Sequence, residues 1–505
     1  MQMKDGTVYG SRESFRQYCD ERTFSEILEM DTVGEMLARS VSRWPDAPAV
    51  RYAGKTITYR ELDHAAACAR TELRQLGLER GDRLLIHLPN SDRLLVILLA
   101  AATLGVSAAV APAQLPPQTA ADLAALFRCR AMAGSEEDAA AGKIPTLTGG
   151  GTADEESPAA EVTGTDECLI MFTGGTTGRS KGAVLSQRAV MRGAVNGCYG
   201  YADVFSQRYL LSLPMSHVFG LIRGTLTGLT TGSCICICET PQAMFRDAAV
   251  FRPTQWVAVP AMAEMALSLS RQFEKPMLGD ALKIIICGAA AVPPYLIRAW
   301  DERGVKLFPG YGLTESANLV SGNPEYASRP ESVGLPFPHQ ELKTAEDGEL
   351  LLRGDNMLTS YIGTAESAFD ADGWFHTGDL ARFDEDGFLY ITGRTKEVIV
   401  LQSGENVSPA EVEARFNALD AVQDCQLYET ENEHGIPILA LEVVPRAAEV
   451  KGRGDVNQFL MPQLEEINRS LPAYQRASKI IIRDKDFERS PSMKILRYGR
   501  KNEQK

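Results

Sequence analysis

The chain has 505 residues, of which 44% are hydrophobic and 23% are charged, a balance typical of globular proteins and not of disordered ones. This length corresponds to about three domains of ordinary size. The formal net charge of −14 argues against a general binder of nucleic acid or anionic membranes, so any anionic ligand needs a local basic site.

Helical and strand-like segments alternate along most of the chain. Residues 58–76 have the apolar spacing of a helix, and residues 82–88 form a short apolar strand pattern. Residues 94–111 carry no charge and are long enough to span a membrane, but Gly105 and Ser107 interrupt them. A buried helix followed by a buried strand is the better interpretation, and no membrane span is predicted.

Two further segments bear on organisation. Residues 134–166 are rich in Gly, Ala, Ser, Thr, Glu and Pro, which predicts a surface connection. Cys234, Cys236 and Cys238 alternate along one strand, and we interpret them as core residues because no partner cysteines or histidines at metal-site spacing are evident. Ten cysteines without a pairing pattern, and a start without a secretory leader, predict a cytoplasmic location.

The predicted fold class is α/β. The alternation favours a large N-terminal domain of layered α/β subdomains with mostly parallel sheets. Near residues 393–404 a strand pattern changes to a loop and then to an amphipathic helix, PAEVEARFNAL. We therefore predict an N-terminal domain over residues 1–393 and a small mobile α+β domain over residues 394–505.

The strongest local motif is ECLIMFTGGTTGRSKG, residues 167–182, in which an apolar strand leads into a Gly and Thr loop followed by Lys181. Glycines allow close backbone approach, while hydroxyls, amides and a lysine can hold phosphate oxygens. The loop lacks the Walker arrangement, since Arg179 and Ser180 follow Gly178. Taken alone, an ordinary Gly-rich turn is equally compatible with it.

Seven motifs in order along the chain resemble the adenylate-forming superfamily, which includes acyl- and aryl-CoA synthetases. They are TGGTTGRSKG (173–182), LPMSHVFG (213–220), CGAAAV (287–292), GYGLTES (310–316), GWFHTGDL (373–380), GRTKEVIVLQSGENVSPAEVE (393–413) and SPSMKILR (490–497). The resemblance implies an AMP-forming enzyme that uses ATP and Mg²⁺ to activate a small-molecule carboxylic acid and then transfers the acyl group to CoA.

The resemblance also assigns roles to single residues. The phosphate-binding residues are Thr173, Gly174, Gly175, Thr176, Thr177, Gly178 and Lys181, and the adenine-binding residues are Gly288, Ala289, Ala290, Tyr311 and Gly312. Thr314 is expected at the α-phosphate and Glu315 at Mg²⁺. Asp379 and Arg394 are expected at the ribose, with Ile391 beside them.

The two predicted half-reactions use different residues. Lys494 is the expected catalytic lysine of acyl-adenylate formation, Lys396 the hinge for domain rotation, and His217 the gate beside the incoming thiol. Taken singly, such residues have ordinary alternatives. Asp379 could be a turn residue, Glu315 a helix N-terminal carboxylate, and His217 a core histidine.

The sequence departs from the family pattern at Gly174, Ser180, Pro309 and Met493, without loss of a charged ligand. Val218 stands where amino-acid-activating relatives have an acidic residue, which predicts an acid without an α-amine. The resemblance implies a fatty or aryl acid, and LQSGENVSP (401–409) resembles the fatty acyl-CoA synthetase branch. Candidate pocket residues are Phe219, Arg223, Met262, Ala289 and Ser316. Arg223 either pairs with a second acidic group of the substrate or belongs to a surface or structural salt bridge.

Three functions stay open at this point. The leading one is an acid–CoA ligase of fatty acid metabolism or a related pathway. A second is a stand-alone ligase that loads the phosphopantetheine thiol of an acyl carrier protein. A third is a catalytically silent, ligand-binding homologue, which the combined presence of Lys181, Glu315, Asp379, Arg394 and Lys494 disfavours.

Overall fold

The computed structural model describes residues 3–4, 6–142, 144–148, 156–173, 181–364, 367–401, 405–432, 436–489 and 495. Its architecture is mixed α/β and confirms the predicted fold class. The α-helices span Glu21–Glu26, Val33–Arg43, Tyr59–Gln75, Asp92–Leu104, Pro117–Leu126, Glu136–Ala141, Gln187–Asn196, Thr227–Thr230, Met244–Phe251, Pro260–Gln272, Pro294–Asp301, Pro409–Asn417, Ala447–Val450 and Val456–Ser470. A π-helical segment spans Phe219–Leu226. Shorter 3₁₀ turns span Glu13–Tyr18, Pro241–Ala243, Thr314–Ser316, Thr395–Glu397 and Ala473–Gln475.

A nine-stranded sheet forms the centre of the larger part of the chain. In spatial order its strands are Leu335–Pro336, Asn318–Gly322, Lys306–Leu313, Ile284–Cys287, Gln255–Ala258, Arg208–Leu211, Cys234–Ile237, Pro48–Tyr52 and Lys55–Thr58. Its central strands pair in parallel, and antiparallel pairs occur toward the two edges. This sheet agrees with the mostly parallel sheets that the alternation of helices and strands predicts. The six-stranded sheet described below does not, because all its strand pairs are antiparallel.

A seven-stranded sheet lies beside it in the same core. Its strands are, in order, Ser360–Ile362, Lys181–Ser186, Glu167–Thr173, Ser107–Val110, Arg83–Ile86, Ala131–Ala133 and Thr146–Leu147. A third, six-stranded sheet contains Met3–Lys4, Thr7–Tyr9, Gln340–Thr344, Glu349–Gly354, Phe375–Phe383 and Leu389–Arg394. All three sheets contribute to one large hydrophobic cluster.

The uncharged stretch of residues 94–111 is a buried helix followed by a buried strand. The helix Asp92–Leu104 starts at Ser91, whose hydroxyl caps it, and ends at Gly105 in the left-handed conformation. The strand Ser107–Val110 is buried throughout. Among the residues that the structure describes, no helix is long and apolar enough to cross a membrane.

The three alternating cysteines are core residues, as predicted. Cys234, Cys236 and Cys238 pack into one hydrophobic cluster, while the intervening Ile235 and Ile237 pack into the other. Nowhere in the described ranges do three or more His, Cys, Asp or Glu side chains form a group that could hold a metal ion.

The connection predicted at residues 134–166 contains a short helix, Glu136–Ala141, and the edge strand Thr146–Leu147.

The C-terminal part has a hydrophobic core of its own. Its three-stranded sheet consists of Val422–Glu431, Pro437–Pro445 and Lys479–Ile482, and a two-stranded ribbon joins Ile399–Val400 to Asn406–Val407. Phe416 and Leu460 are fully buried in this core. The ribbon follows the 3₁₀ turn that contains Lys396, whose side chain is exposed. A domain boundary at residue 393 and a hinge at Lys396 stay predictions.

Candidate active site

The predicted phosphate loop joins two antiparallel strands. Glu167–Thr173 pairs with Lys181–Ser186, and Thr173 lies directly opposite Lys181 in the register. Both side chains are half-buried. The loop residues between them, Gly174, Gly175, Thr176, Thr177, Gly178 and Ser180, lie outside the described residues. The structure therefore places the two ends of the predicted cradle side by side.

The predicted adenine residues follow two neighbouring parallel strands. Gly288 to Ala290 follow the strand Ile284–Cys287, and Tyr311 lies near the end of Lys306–Leu313. A Cβ atom added at Gly288 would lie 3.1 Å from the carbonyl oxygen of Gly310 and 3.4 Å from Cζ of Phe219. Ala289 has a φ of 66°, uncommon for a residue with a side chain. Ala289 and Ala290 are exposed and so are accessible to a ligand.

Three residues predicted to bind the adenosine part of ATP are joined by one hydrogen bond and one ion pair. The Tyr311 hydroxyl donates to Oδ2 of Asp379 at 2.6 Å, and Nε of Arg394 lies 2.8 Å from Oδ1. Asp379 and Arg394 lie opposite each other on the strands Phe375–Phe383 and Leu389–Arg394, which explains their contact. Burial and the nearby carboxylate raise the pKa of Tyr311 well above its usual value of 10, so its hydroxyl keeps the proton it donates.

A tight turn holds the predicted α-phosphate and Mg²⁺ residues. Thr314 and Glu315 occupy the 3₁₀ turn Thr314–Ser316 and are half-buried. Gly312, two positions before the turn, cannot carry a side chain without rearrangement, since an added Cβ would lie 2.0 Å from the carbonyl oxygen of Asn318. The glycine lets the strand approach its neighbour closely and so fixes where the turn begins.

Tyr361 connects Glu315 to Lys181, and sequence reasoning missed it. Its hydroxyl donates to Oε1 of Glu315 at 2.8 Å, and Nζ of Lys181 lies 5.6 Å from the centre of its ring. Tyr361 is held there because its strand, Ser360–Ile362, pairs with the strand that Lys181 begins. Burial and the Glu315 carboxylate raise the pKa of Tyr361, so the phenol stays protonated and donates.

The carboxylate of Glu315 suits a magnesium ion that arrives with ATP. Mg²⁺ is commonly held by one or two carboxylates together with substrate phosphates and water, and not by an all-protein cage. The described residues contain no such cage, while Glu315 offers one hard oxygen donor in the same turn as Thr314. The residues present therefore fit a nucleotide-bound Mg²⁺.

His217 lies at the start of a segment that leads into the core. Its side chain is exposed, so the alternative of a core histidine is wrong. It directly precedes Val218 and the π-helical segment Phe219–Leu226, and its carbonyl oxygen accepts from the amide of Leu221 at 2.9 Å. Val218 is buried, with 9% of its surface exposed. The position after His217 therefore presents an apolar side chain and no charge.

The candidate pocket residues differ in their surroundings. Phe219 is buried next to Gly288, and Met262 is half-buried on the helix Pro260–Gln272. Ser316 is fully buried, and its hydroxyl bonds to the backbone of Leu313 and Asn318, so it is already occupied within its own turn. Arg223 is buried, which rules out a surface salt bridge, and no carboxylate of the described residues pairs with it.

The remaining predicted site residues are only partly placed. Ile391 is half-buried and packs against the main core from the strand Leu389–Arg394. Lys494 and its neighbour Met493 lie outside the described residues. Their roles stay predictions, as does the hinge at Lys396.

Comparison with protein families places most of the chain in one family. A model described as AMP-binding enzyme matches residues 37–362, and a model described as AMP-binding enzyme C-terminal domain matches residues 396–502. A feruloyl-CoA synthase of Amycolatopsis sp. is 30% identical over 417 residues, which cover 78% of this chain and 84% of the relative. An oxalate–CoA ligase of Arabidopsis thaliana is 27% identical over 515 residues, covering 93% and 98%.

Solved structures show the same fold. An anthranilate CoA ligase in complex with anthranoyl-AMP superposes with a TM-score of 0.78 at 21% identity, covering 92% of this chain and 95% of that one. The o-succinylbenzoate CoA synthetase of Bacillus subtilis, with its acyl-adenylate intermediate, gives a TM-score of 0.74 at 23% identity, covering 93% and 99%. The family models, the ordered motifs and the shared fold agree. The chain belongs to the AMP-binding enzyme family.

Proposed function

We propose that this enzyme is an AMP-forming acid–CoA ligase, which converts a carboxylic acid and ATP to an acyl-adenylate and then transfers the acyl group to CoA. Two clusters of contacting side chains carry the proposal, and the short segment 311–315 contributes one residue to each. Tyr311, Asp379 and Arg394 form one cluster, and Glu315, Tyr361 and Lys181 form the other. Glu315 follows Tyr311 by four positions, so nucleoside and phosphate groups of one ATP molecule can reach both clusters.

The first cluster is suited to the ribose and adenine. A carboxylate can accept two hydrogen bonds from a vicinal diol, and Asp379 is held rigidly by its neighbours for that purpose. Tyr311 offers its ring face to a base while its hydroxyl fixes Asp379. Arg394 is half-exposed and can turn toward a ribose oxygen while it keeps its contact with Asp379.

The second cluster is suited to the phosphates. Lys181 supplies positive charge at the end of the phosphate loop, and Thr314 offers a hydroxyl one residue before Glu315. Bound with ATP at Glu315, Mg²⁺ would neutralise charge that develops on the phosphates. A solved relative at 23% identity is described as in complex with ATP and magnesium ion. Lys494 is proposed to add the second positive charge during adenylation.

The acceptor thiol is proposed to be that of CoA. Relatives at 27% to 30% identity carry the names feruloyl-CoA synthase and oxalate–CoA ligase. The proposed route places His217 beside the thiol after a rotation about Lys396. A carrier-protein phosphopantetheine is the alternative acceptor, since it presents the same chemical group. The acidic charge and the ten cysteines support a cytoplasmic location.

The substrate is proposed to be a carboxylic acid without an α-amine. The buried, apolar Val218 supports this, because an ammonium group left unpaired there would lose its hydration without compensation. The named relatives act on acids as different as ferulate and oxalate, so relatedness supports the class of reaction more strongly than one acid.

ATP–pyrophosphate exchange measured with a panel of fatty, aryl and dicarboxylic acids tests the proposal. We expect acid-dependent exchange that requires Mg²⁺, and thioester formation when CoA is then added. Exchange with α-amino acids alone would contradict the substrate class. Binding of ATP without exchange for any acid would favour the silent homologue. Thioester formation with a holo acyl carrier protein but not with CoA would favour the alternative acceptor.

A further inference from the structure

Arg223 carries a positive charge in the interior of the protein. Only 1% of its surface is exposed, which places it among the largest fully buried side chains. No carboxylate of the described residues lies within salt-bridge distance of it, whereas the buried Arg192 pairs with Asp31 at 3.0 Å. Buried charges are normally paired, so an arginine without a counter-charge indicates a missing partner.

The hydrogen bonds of Arg223 leave part of its guanidinium unused. Nη2 donates to the hydroxyl of Tyr201 at 2.7 Å, and that hydroxyl donates onward to the carbonyl oxygen of Gly197 at 3.0 Å. Nε and Nη1 are buried and have no hydrogen-bond partner. A guanidinium has five N–H donors, and Nη2 uses only one of its two for Tyr201. An acceptor with two oxygens can therefore bind across Nη2 and either of the two unpartnered nitrogens.

The titratable groups around Arg223 are neutral at physiological pH. Burial raises the pKa of Tyr201 well above 10 and raises that of Tyr209 as well. Burial also raises the pKa of the Cys198 thiol to about 12. None of these groups provides a negative charge, so no counter-charge for Arg223 is found among the residues that the structure describes.

The position of Arg223 relates it to the candidate active site. It lies four residues after Phe219 in the segment Phe219–Leu226, and Phe219 packs at Gly288. Arg223 also lines a cavity of about 20 Å³ with Tyr201, Ile286 and Gly310 among its walls. Gly310 directly precedes Tyr311, so this cavity adjoins the strand that carries the predicted adenine-binding residue.

We infer that Arg223 binds a second carboxylate at the far end of the acid substrate. The inference rests on the proposed function and makes it narrower, since it selects acids that carry a distal anionic group. The reacting carboxylate would lie at the Thr314 turn, the body of the acid would pass Phe219, and the distal carboxylate would accept from Nη2 and from one of the two unpartnered nitrogens. An acid without that group would leave the guanidinium without a counter-charge.

Matched pairs of acids test the inference in the unaltered enzyme. ATP–pyrophosphate exchange is measured for pairs of equal length that differ only in the distal group, such as hexanoate with hexanedioate, and 3-phenylpropanoate with 3-(4-carboxyphenyl)propanoate. We expect kcat/KM to favour the dicarboxylate by about tenfold or more in the pair of suitable length, because the pocket's donors stay unpaired with the other acid. Preference for the monocarboxylate in every pair would overturn the inference.

Arg223→Met keeps the length of the side chain and removes its charge. We expect it to lose the preference for the dicarboxylate and to accept the monocarboxylate at least as well as before. Equal loss for both members of each pair would show a structural role and overturn the inference. Arg192→Met is the matched control, since it removes another buried guanidinium and should leave the preference unchanged.

A binding measurement covers the case in which Arg223→Met does not fold. The dicarboxylate should protect the unaltered enzyme from thermal unfolding in the presence of ATP analogue and Mg²⁺ more strongly than its partner acid. Equal protection by the two acids would contradict the inference. Chloride or sulfate that protects equally well would identify a structural anion site and overturn it too. Absence of exchange with every acid would instead contradict the proposed function itself.

Discussion

Asp379 is buried, with 3% of its surface exposed, and both of its carboxylate oxygens have partners: Oδ2 accepts a hydrogen bond from Tyr311, and Oδ1 forms an ion pair with Arg394. Tyr311 and Arg394 therefore hold the carboxylate in one orientation before any ribose arrives. Such preorganisation lowers the entropy cost of binding. Sequence reasoning identified the three residues by their motifs, but the contact between them depends on the register of two strands and could not be inferred from the motifs alone.

Asp379→Asn tests this arrangement. We expect ATP affinity to fall by roughly 1.5 to 3 kcal/mol, because the amide replaces a charged acceptor and turns a donor toward Tyr311 or Arg394. Calorimetric titration with ATP and Mg²⁺ measures it, with the free energy of unfolding measured in parallel. Unchanged ATP affinity would contradict the assigned role.

Tyr361→Phe tests the link between Glu315 and Lys181. It removes the donor to Glu315 and keeps the ring beneath Lys181, so we expect weaker apparent affinity for Mg²⁺ with ATP, by about 1 to 2 kcal/mol. Titration of exchange activity and of nucleotide binding against Mg²⁺ measures this. Tyr428→Phe removes a similar bond, to Glu442, in the C-terminal sheet and should leave Mg²⁺ dependence unchanged. An equal effect of both variants would contradict a local role for Tyr361.

His376 lies on Phe375–Phe383, the strand that also carries Asp379. We predict that it makes a pH-dependent contribution to the free energy of unfolding. Its Nδ1 lies 2.7 Å from Glu349, and that contact raises the pKa of His376 above its usual 6.5. A raised histidine pKa stabilises the folded state fully below pH 6.5, and the contribution is lost as pH rises through the folded-state pKa. The difference in free energy of unfolding between wild type and His376→Gln should therefore shrink from pH 5 to pH 9. A pH-independent difference would contradict this prediction.

Local sequence patterns predicted individual elements well because local chemistry determines them. Residues 58–76 are a helix over Tyr59–Gln75, begun by the capping box of Thr58 and Glu61. The contact between Tyr361 and Glu315 joins residues 46 positions apart through strands of two sheets, and no local signal in SYIG indicates it. Likewise, the burial of Arg223 follows from tertiary packing, which the sequence left open between two interpretations.

Gly312→Ala tests how closely the strands Lys306–Leu313 and Asn318–Gly322 must approach each other. The added methyl group would meet the carbonyl of Asn318, so we expect destabilisation of roughly 1 to 3 kcal/mol and weaker ATP binding. Gly34→Ala is the control, because its nearest neighbours would lie 3.8 Å away in a helix. There, alanine should be neutral or stabilising by up to about 1 kcal/mol. Similar destabilisation by both changes would contradict the argument from close approach.

At the scale of the whole molecule, the proposed two-step reaction needs the C-terminal part to change its contacts. In the structure Arg446 donates to Glu264 at 3.0 Å and lies 3.3 Å from the centre of the Tyr295 ring. Both partners belong to helices of the larger part, so this contact would have to break when the C-terminal part rotates. Residues that act in one orientation only should then affect one half-reaction only.

Lys494→Ala gives the sharpest test of such a division. If the lysine neutralises charge only during adenylation, the variant should slow acyl-adenylate formation by about a hundredfold or more, the scale expected for one preorganised charged contact. Thioester formation from supplied acyl-adenylate should persist, because the rotation would have moved residue 494 away from the reacting groups. Rapid-quench measurements time the two half-reactions separately, and Lys501→Ala controls for the loss of one charge from the same basic tail. Equal slowing of both half-reactions would mean that Lys494 supports folding or nucleotide binding in general, whereas no slowing of either would show that the lysine beside Met493 lacks the role its motif implies.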